Sequence, residues 1–181
     1  EGYYSAMGLA NLVLKAIRLG GLEINSPSET KRAETIALLM RGAALSGIAL
    51  NYDKGYILDE TSDLSVLSYS NRKDVRDAAL VSLDSAIAYA NANAFTTPAS
   101  WTNGVEYTNS QIARVASTMA AWLLANYPRD AAENATVDWA RVVSYASNGM
   151  SSGTPFSFVF MGDGCRAGGA WCAEMLYWFN G

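Results

Sequence analysis

Apolar side chains recur every three or four residues over five stretches of this chain, each closed by a glycine, a proline or a polar loop. That spacing lines one face of an α-helix, so most of the chain must pack helix against helix. The first stretch runs from about Gly2 to Leu19, with Leu9, Leu12, Val13, Ala16 and Ile17 as its expected buried stripe, and ends on Gly20-Gly21. The second starts near Ser28, just after Pro27. It places Ile36, Leu39, Met40, Ala43, Gly47 and Leu50 on one face, with small residues at Ala43, Ala44, Ser46 and Gly47 for a close neighbour. The third spans Lys73 to about Asn93, burying Val75, Ala79, Leu83, Ala86, Ile87 and Ala90 and leaving Arg72, Arg76, Asp77 and Asp84 in water. The fourth is capped by Thr108 or Asn109, turns Ile112, Val115, Ala116, Met119, Leu123 and Leu124 inward, and stops at Pro128. The fifth, Asp138 to about Ser147, carries Trp139, Val142, Val143 and Ala146 and ends before Gly149.

These stretches predict a mostly α fold of antiparallel helix pairs of tetratricopeptide-like type, with a short irregular or β C-terminal segment. Residues 1–150 form the helical-repeat-like region, and residues 151–181 an aromatic, glycine-rich segment in which Phe156, Phe158 and Phe160 alternate as in a strand. The chain opens on Glu1 and closes on Trp178-Phe179-Asn180-Gly181, which reads as one domain or a fragment of a longer protein. Lys15, Arg18 and Arg41 interrupt the apolar runs, so no transmembrane span is expected.

The chemistry available is narrow. With 50% hydrophobic and 17% charged residues, the chain can build a core. It has no histidine, which removes Ser-His-Asp and Cys-His catalysis and the usual zinc sites. Neither G-x-x-x-x-G-K nor G-x-G-x-x-G occurs, and a net charge of −4 with a pI near 4.8 argues against nucleic acid. No catalytic residue, metal site or cofactor is expected. The acidic loop of Asp53, Asp59, Glu60 and Asp63 lacks the order of an EF-hand and reads as a solvated loop. Cys165 and Cys172 read as a disulfide in an exported chain, with two buried thiols as the alternative.

Several segments together resemble the SusD/RagB family. Arg32-Ala33-Glu34 through Met40-Arg41-Gly42-Ala43 is similar to one of its tetratricopeptide helices, and Asn51-Tyr52-Asp53-Lys54-Gly55-Tyr56 to the aromatic and acidic loop that follows. Leu83-Asp84-Ser85-Ala86-Ile87 resembles the family's Asp-Leu-x-x-Ala-Ile helix. Gln111-Ile112-Ala113 to Ala121-Trp122-Leu123-Leu124 and Val137-Asp138-Trp139-Ala140 through Ala146 resemble its later helices. The likeness covers roughly residues 30–150, in order. It implies a non-catalytic, exported outer-membrane surface protein that captures glycan or peptide nutrients for a TonB-dependent transporter barrel of SusC type. An exported setting also favours the disulfide.

Capture of a sugar needs aromatic faces beside amides and carboxylates. Tyr52 and Tyr56, with Asp53, supply that mix in one loop; Trp101 and Asn103, with Tyr107, supply it in another. Tyr52, Tyr56, Trp101 and Asn103 are therefore the candidate ligand-binding residues, against the plainer reading that they cover helix ends. Leu176, Tyr177, Trp178 and Phe179 either complete the core or form an interface. The second possibility keeps a rival open: a structural helical-repeat subunit of a homopolymer or larger cell-envelope assembly.

Overall fold

The computed structural model describes residues 2–102 and 104–151. The predicted strand at Phe156–Phe160, the Cys165–Cys172 pair and the Leu176–Phe179 cluster lie outside the described residues, as does Asn103.

The described chain is mostly helical. Its elements are α1 (Gly2–Arg18), α2 (Pro27–Asn51), α3 (Arg72–Ala92), α4 (Asn109–Asn126), a short α5 (Ala131–Ala135) and α6 (Trp139–Ser147), with a two-stranded ribbon, β1 (Lys54–Gly55) and β2 (Ser70–Asn71), inside the α2–α3 connection. Each start has a local cause. Ser26 caps α2 by accepting from the Glu29 N–H at 3.2 Å, and Pro27 occupies the first turn, where its missing N–H costs nothing. Asn71 caps α3, Asp138 caps α6, and Thr108 with Gln111 forms a full capping box on α4.

Successive long helices run antiparallel. On α2 and α3, Ser28 Oγ donates to the Ala94 carbonyl at 2.8 Å while Ser82 Oγ donates to the Leu38 carbonyl at 2.9 Å, so the pair meets in opposite directions. Asn109 Nδ2 reaches the Ala90 carbonyl at 2.8 Å, turning α4 back along α3. Gly42 sits where α2 and α3 cross: a Cβ there would lie 2.7 Å from Leu83 Cγ. At Gly47 a Cβ would collide with the Tyr3 ring of α1. The small residues of α2 thus admit neighbours on two sides.

Three stripes differ from expectation. On α1 the buried residues are Met7, Ala10, Asn11 and Leu14, whereas Leu9 and Leu12 are 67% and 64% exposed. Docking against α2 buries the stripe through Met7, Ala10 and Leu14 instead of the one through Leu9 and Leu12. On α2 burial extends well beyond a single stripe, through Ala37, Leu38, Leu45, Ile48 and Ala49, because the helix has α1 on one flank and α3 on the other. Contrary to the expectation from its charges, α2 is long and apolar enough to cross a membrane; 72% of that apolar stretch is buried inside the fold, as in a core helix. The α6 stripe also narrows, with Val142 buried but Trp139 and Val143 largely exposed.

The acidic loop is not simply solvated. Glu60 accepts from Arg18 at 2.6 Å and from Arg41 at 2.5 Å, while Arg18 also pairs with Glu34 at 2.6 Å and Lys31 reaches Glu34 at 2.9 Å. This network ties the α2–α3 connection to α1 and α2. The Glu34 side chain is only 2% exposed. Burial alone would raise its pKa, but hydrogen bonds from Arg18 and Lys31 outweigh burial and hold it below the ordinary glutamate range. Glu60 is held down likewise, burial being outweighed by Arg18 and Arg41 together with a backbone hydrogen bond. Asp59 and Asp63 accept from Thr61 and Ser65 in local turns. No cluster that would hold a metal ion occurs among the described residues. Arg72 and Arg76, expected in water, instead lie over the Tyr127 ring at 3.9 and 4.5 Å.

Candidate functional site

The aromatic candidates fall into two groups at different ends of α2. Trp101 closes a single 3-10 turn, Ala99–Trp101, in the α3–α4 connection. That connection is fastened at its base: Thr97 N–H donates to the Tyr107 carbonyl, and Tyr107 N–H donates to Thr97 Oγ1, both at 2.9 Å. Gly104, at φ 85°, allows the return turn and donates to the Ala99 carbonyl at 2.8 Å. Trp101 therefore stands on a fixed platform, 43% exposed, with the Arg32 guanidinium 5.2 Å from its ring centroid. Arg32 is itself held by the Thr96 carbonyl at 3.2 Å.

Beside Trp101 a groove of about 420 Å³ runs between α1 and α2, walled by Ala6, Leu9, Val13, Ile36 and Met40. A deeper extension of about 260 Å³ shares Ile36, Met40 and Trp101 and reaches Ile112 of α4. The exposed flank of α1 is one wall of this groove. Its lining is almost wholly apolar, so it suits aliphatic or aromatic groups or the apolar face of a ring.

Tyr52 and Tyr56 belong to the other end. Tyr52 is the C-cap of α2, its N–H bonded to the Ile48 carbonyl at 2.9 Å and its side chain 53% exposed. The β1–β2 register pairs Gly55 with Ser70, which brings Tyr56 opposite Tyr69. Their rings stack at 4.1 Å between centroids, and Tyr4 of α1 meets Tyr56 edge-on at 6.0 Å. Tyr4 Oη accepts the Tyr56 N–H at 2.9 Å. Gly55 packs beside Ile48, sixteen residues along α2 from Arg32, so about 24 Å of helix separates the tyrosines from Trp101.

No family model, curated protein or solved structure matches this chain. What the site can do follows from its own geometry.

A third concavity, of about 510 Å³, lies between α3, α4 and α6 and has a mixed polar and apolar lining. On its rim Tyr145 Oη donates to Asp84 at 2.6 Å, and Arg141 reaches both Tyr145 Oη at 2.8 Å and Asp84 at 3.1 Å. Burial, reinforced by the Asp84 carboxylate, pushes the Tyr145 phenol up to about 12, so it stays a neutral donor at physiological pH. Sequence reasoning misses Tyr69, Tyr4, Arg32 and this cleft. Tyr69 and Tyr4 are brought to Tyr56 by strand register and helix docking, which leave no local signal.

Proposed function

We propose that this chain is a non-catalytic, SusD-like surface binding protein, exported to the outer-membrane surface, that captures a glycan or peptide nutrient and passes it to a TonB-dependent barrel of SusC type. The observation that carries this reading is Trp101, held on a fastened loop over an apolar groove, with Arg32 stacked against its ring. A rigid aromatic beside a preformed concavity suits capture without chemistry, since binding orders little that is not already ordered. The resemblance from residue 30 to residue 150 supplies the family context, and its segments fall in order on α2, the β1 loop, α3, α4 and α6. The distance between Trp101 and the tyrosine cluster favours an extended chain ligand over a compact one.

The test follows tryptophan fluorescence of the full chain beside that of its Trp101→Ala variant, because Trp101 is one of five tryptophans, during titration with oligosaccharide and oligopeptide mixtures, with calorimetry on any ligand whose quenching the variant loses. Replacing Trp101 with Ala should weaken binding by about 1 kcal/mol or more, the scale of one aromatic contact. Unchanged affinity for that ligand would overturn the role given to Trp101.

A further inference from the structure

The twelve residues between Tyr56 and Tyr69 make up most of the α2–α3 connection, and their neck is slight: β1 and β2 pair through two residues each. Glu60 and the turns at Asp59 and Asp63 lie inside that loop. Whatever holds the neck therefore also holds the segment that carries Glu60 to Arg18 and Arg41.

Two phenols meet at this neck. The ring centroids of Tyr56 and Tyr69 are 4.1 Å apart with planes 21° from parallel, and the Tyr69 hydroxyl, lying beside that of Tyr56, raises the Tyr56 phenol above its ordinary range. Rings whose centres and hydroxyls both meet run side by side in one direction. Their Cε carbons, which flank the hydroxyl-bearing carbon, are then neighbours too. Tyr4 offers a contrast. It touches Tyr56 at 6.0 Å with its plane turned by 61°, and its Oη accepts the Tyr56 N–H at 2.9 Å. Its hydroxyl edge thus meets the backbone end of Tyr56, away from the Tyr56 hydroxyl. Tyr69 is 63% exposed and Tyr56 half-buried, so the stacked pair is open to a reagent from solvent.

We propose that Tyr56 and Tyr69 are a cross-linking site, which a peroxide-driven one-electron oxidant joins Cε to Cε as dityrosine, clasping the neck of the α2–α3 connection. One peroxide takes one electron and one proton from each phenol and is reduced to two waters. The two phenoxyl radicals, whose spin is shared with the Cε carbons, form one carbon–carbon bond. Each bonded Cε then gives its hydrogen back to its own ring oxygen, which restores two phenols and leaves the pair two hydrogens lighter. Such a link constrains the unfolded chain by closing the loop between positions 56 and 69. It does not depend on capture at Trp101.

The full chain should be treated with hydrogen peroxide and a haem peroxidase, then followed by dityrosine fluorescence and by mass spectrometry after cleavage at Glu60, which lies between the two tyrosines. A peptide carrying Tyr56 should be found joined to one carrying Tyr69, two hydrogens below their combined mass. The yield should be unchanged on dilution, because both rings belong to one chain. Tyr69→Phe keeps the ring for stacking but lacks the hydroxyl, so it should lose the link, whereas Tyr4→Phe and Tyr52→Phe should keep it. Circular dichroism checks that each variant is folded. Treatment should raise the melting temperature of the parent chain more than that of Tyr69→Phe. No such link under conditions that couple free tyrosine, links found only between chains, equal yield from Tyr69→Phe, or equal shifts in melting temperature would overturn the assignment.

Discussion

Replacing Glu34 with Gln tests how the α2–α3 connection is held to the helices. The carboxylate is 2% exposed and accepts from Arg18 at 2.6 Å and Lys31 at 2.9 Å, while Arg18 also pairs with Glu60. Removing one partner of a buried pair costs about 3–5 kcal/mol, mostly because the other charge is left buried. Two features put Glu34→Gln at the low end. Lys31 is 42% exposed and can turn to water, and Arg18 keeps Glu60. The loss should be about 3 kcal/mol, or about 6–12 °C in melting temperature for a chain this long.

Circular dichroism during urea unfolding at several pH values reads both the loss and its origin. Because the folded-state pKa of Glu34 lies below the ordinary value of 4.5, its contribution is complete above pH 4.5. It disappears as pH falls through the depressed folded value. The unmodified chain should lose stability steeply over that acid range, and the Glu34→Gln chain less so. A loss under about 1 kcal/mol at neutral pH, the scale of an exposed ion pair, would refute the claim that this network is buried and stabilising.

Other substitutions test the packing. Leu14→Ala should cost about 2–5 kcal/mol in urea unfolding, since Leu14 is fully buried, whereas Leu12→Ser, at 64% exposure, should stay within about 0.5 kcal/mol. The reverse order would restore the α1 face expected from periodicity. Gly42→Val should destabilise by about 1–3 kcal/mol, because even its Cβ would lie 2.7 Å from Leu83 Cγ and 3.2 Å from the Leu83 amide nitrogen. A Gly42→Val chain as stable as the parent would mean that α2 and α3 can separate without cost.

Helix positions were legible because they are set locally. Pro27, Thr108, Asp138 and the breakers at Gly20 and Pro128 act within a few residues. The inward faces of α3 and α4 were legible for a related reason, since polar residues on their outer sides leave one apolar stripe. On α1 docking against α2 sets the buried stripe, taking in Met7, Ala10 and Leu14 and leaving Leu9 and Leu12 outside. The tyrosine cluster and the Glu60 network depend on chain returns across tens of residues, which periodicity does not encode. Ser110, Arg114 and Ser117 were spaced along one face of α4 in plain view, but only the arrival of α6 encloses them as a cleft. The five-residue α5 is too short to leave a periodic signal.

The most direct test of the capture reading is the native particle mass by light scattering, with mass spectrometry of whatever co-purifies from outer membranes. The account predicts this chain, alone or within a longer parent, in stoichiometric complex with a TonB-dependent barrel. A homopolymer, or a large assembly containing no such transporter, would contradict it and favour the structural-subunit rival.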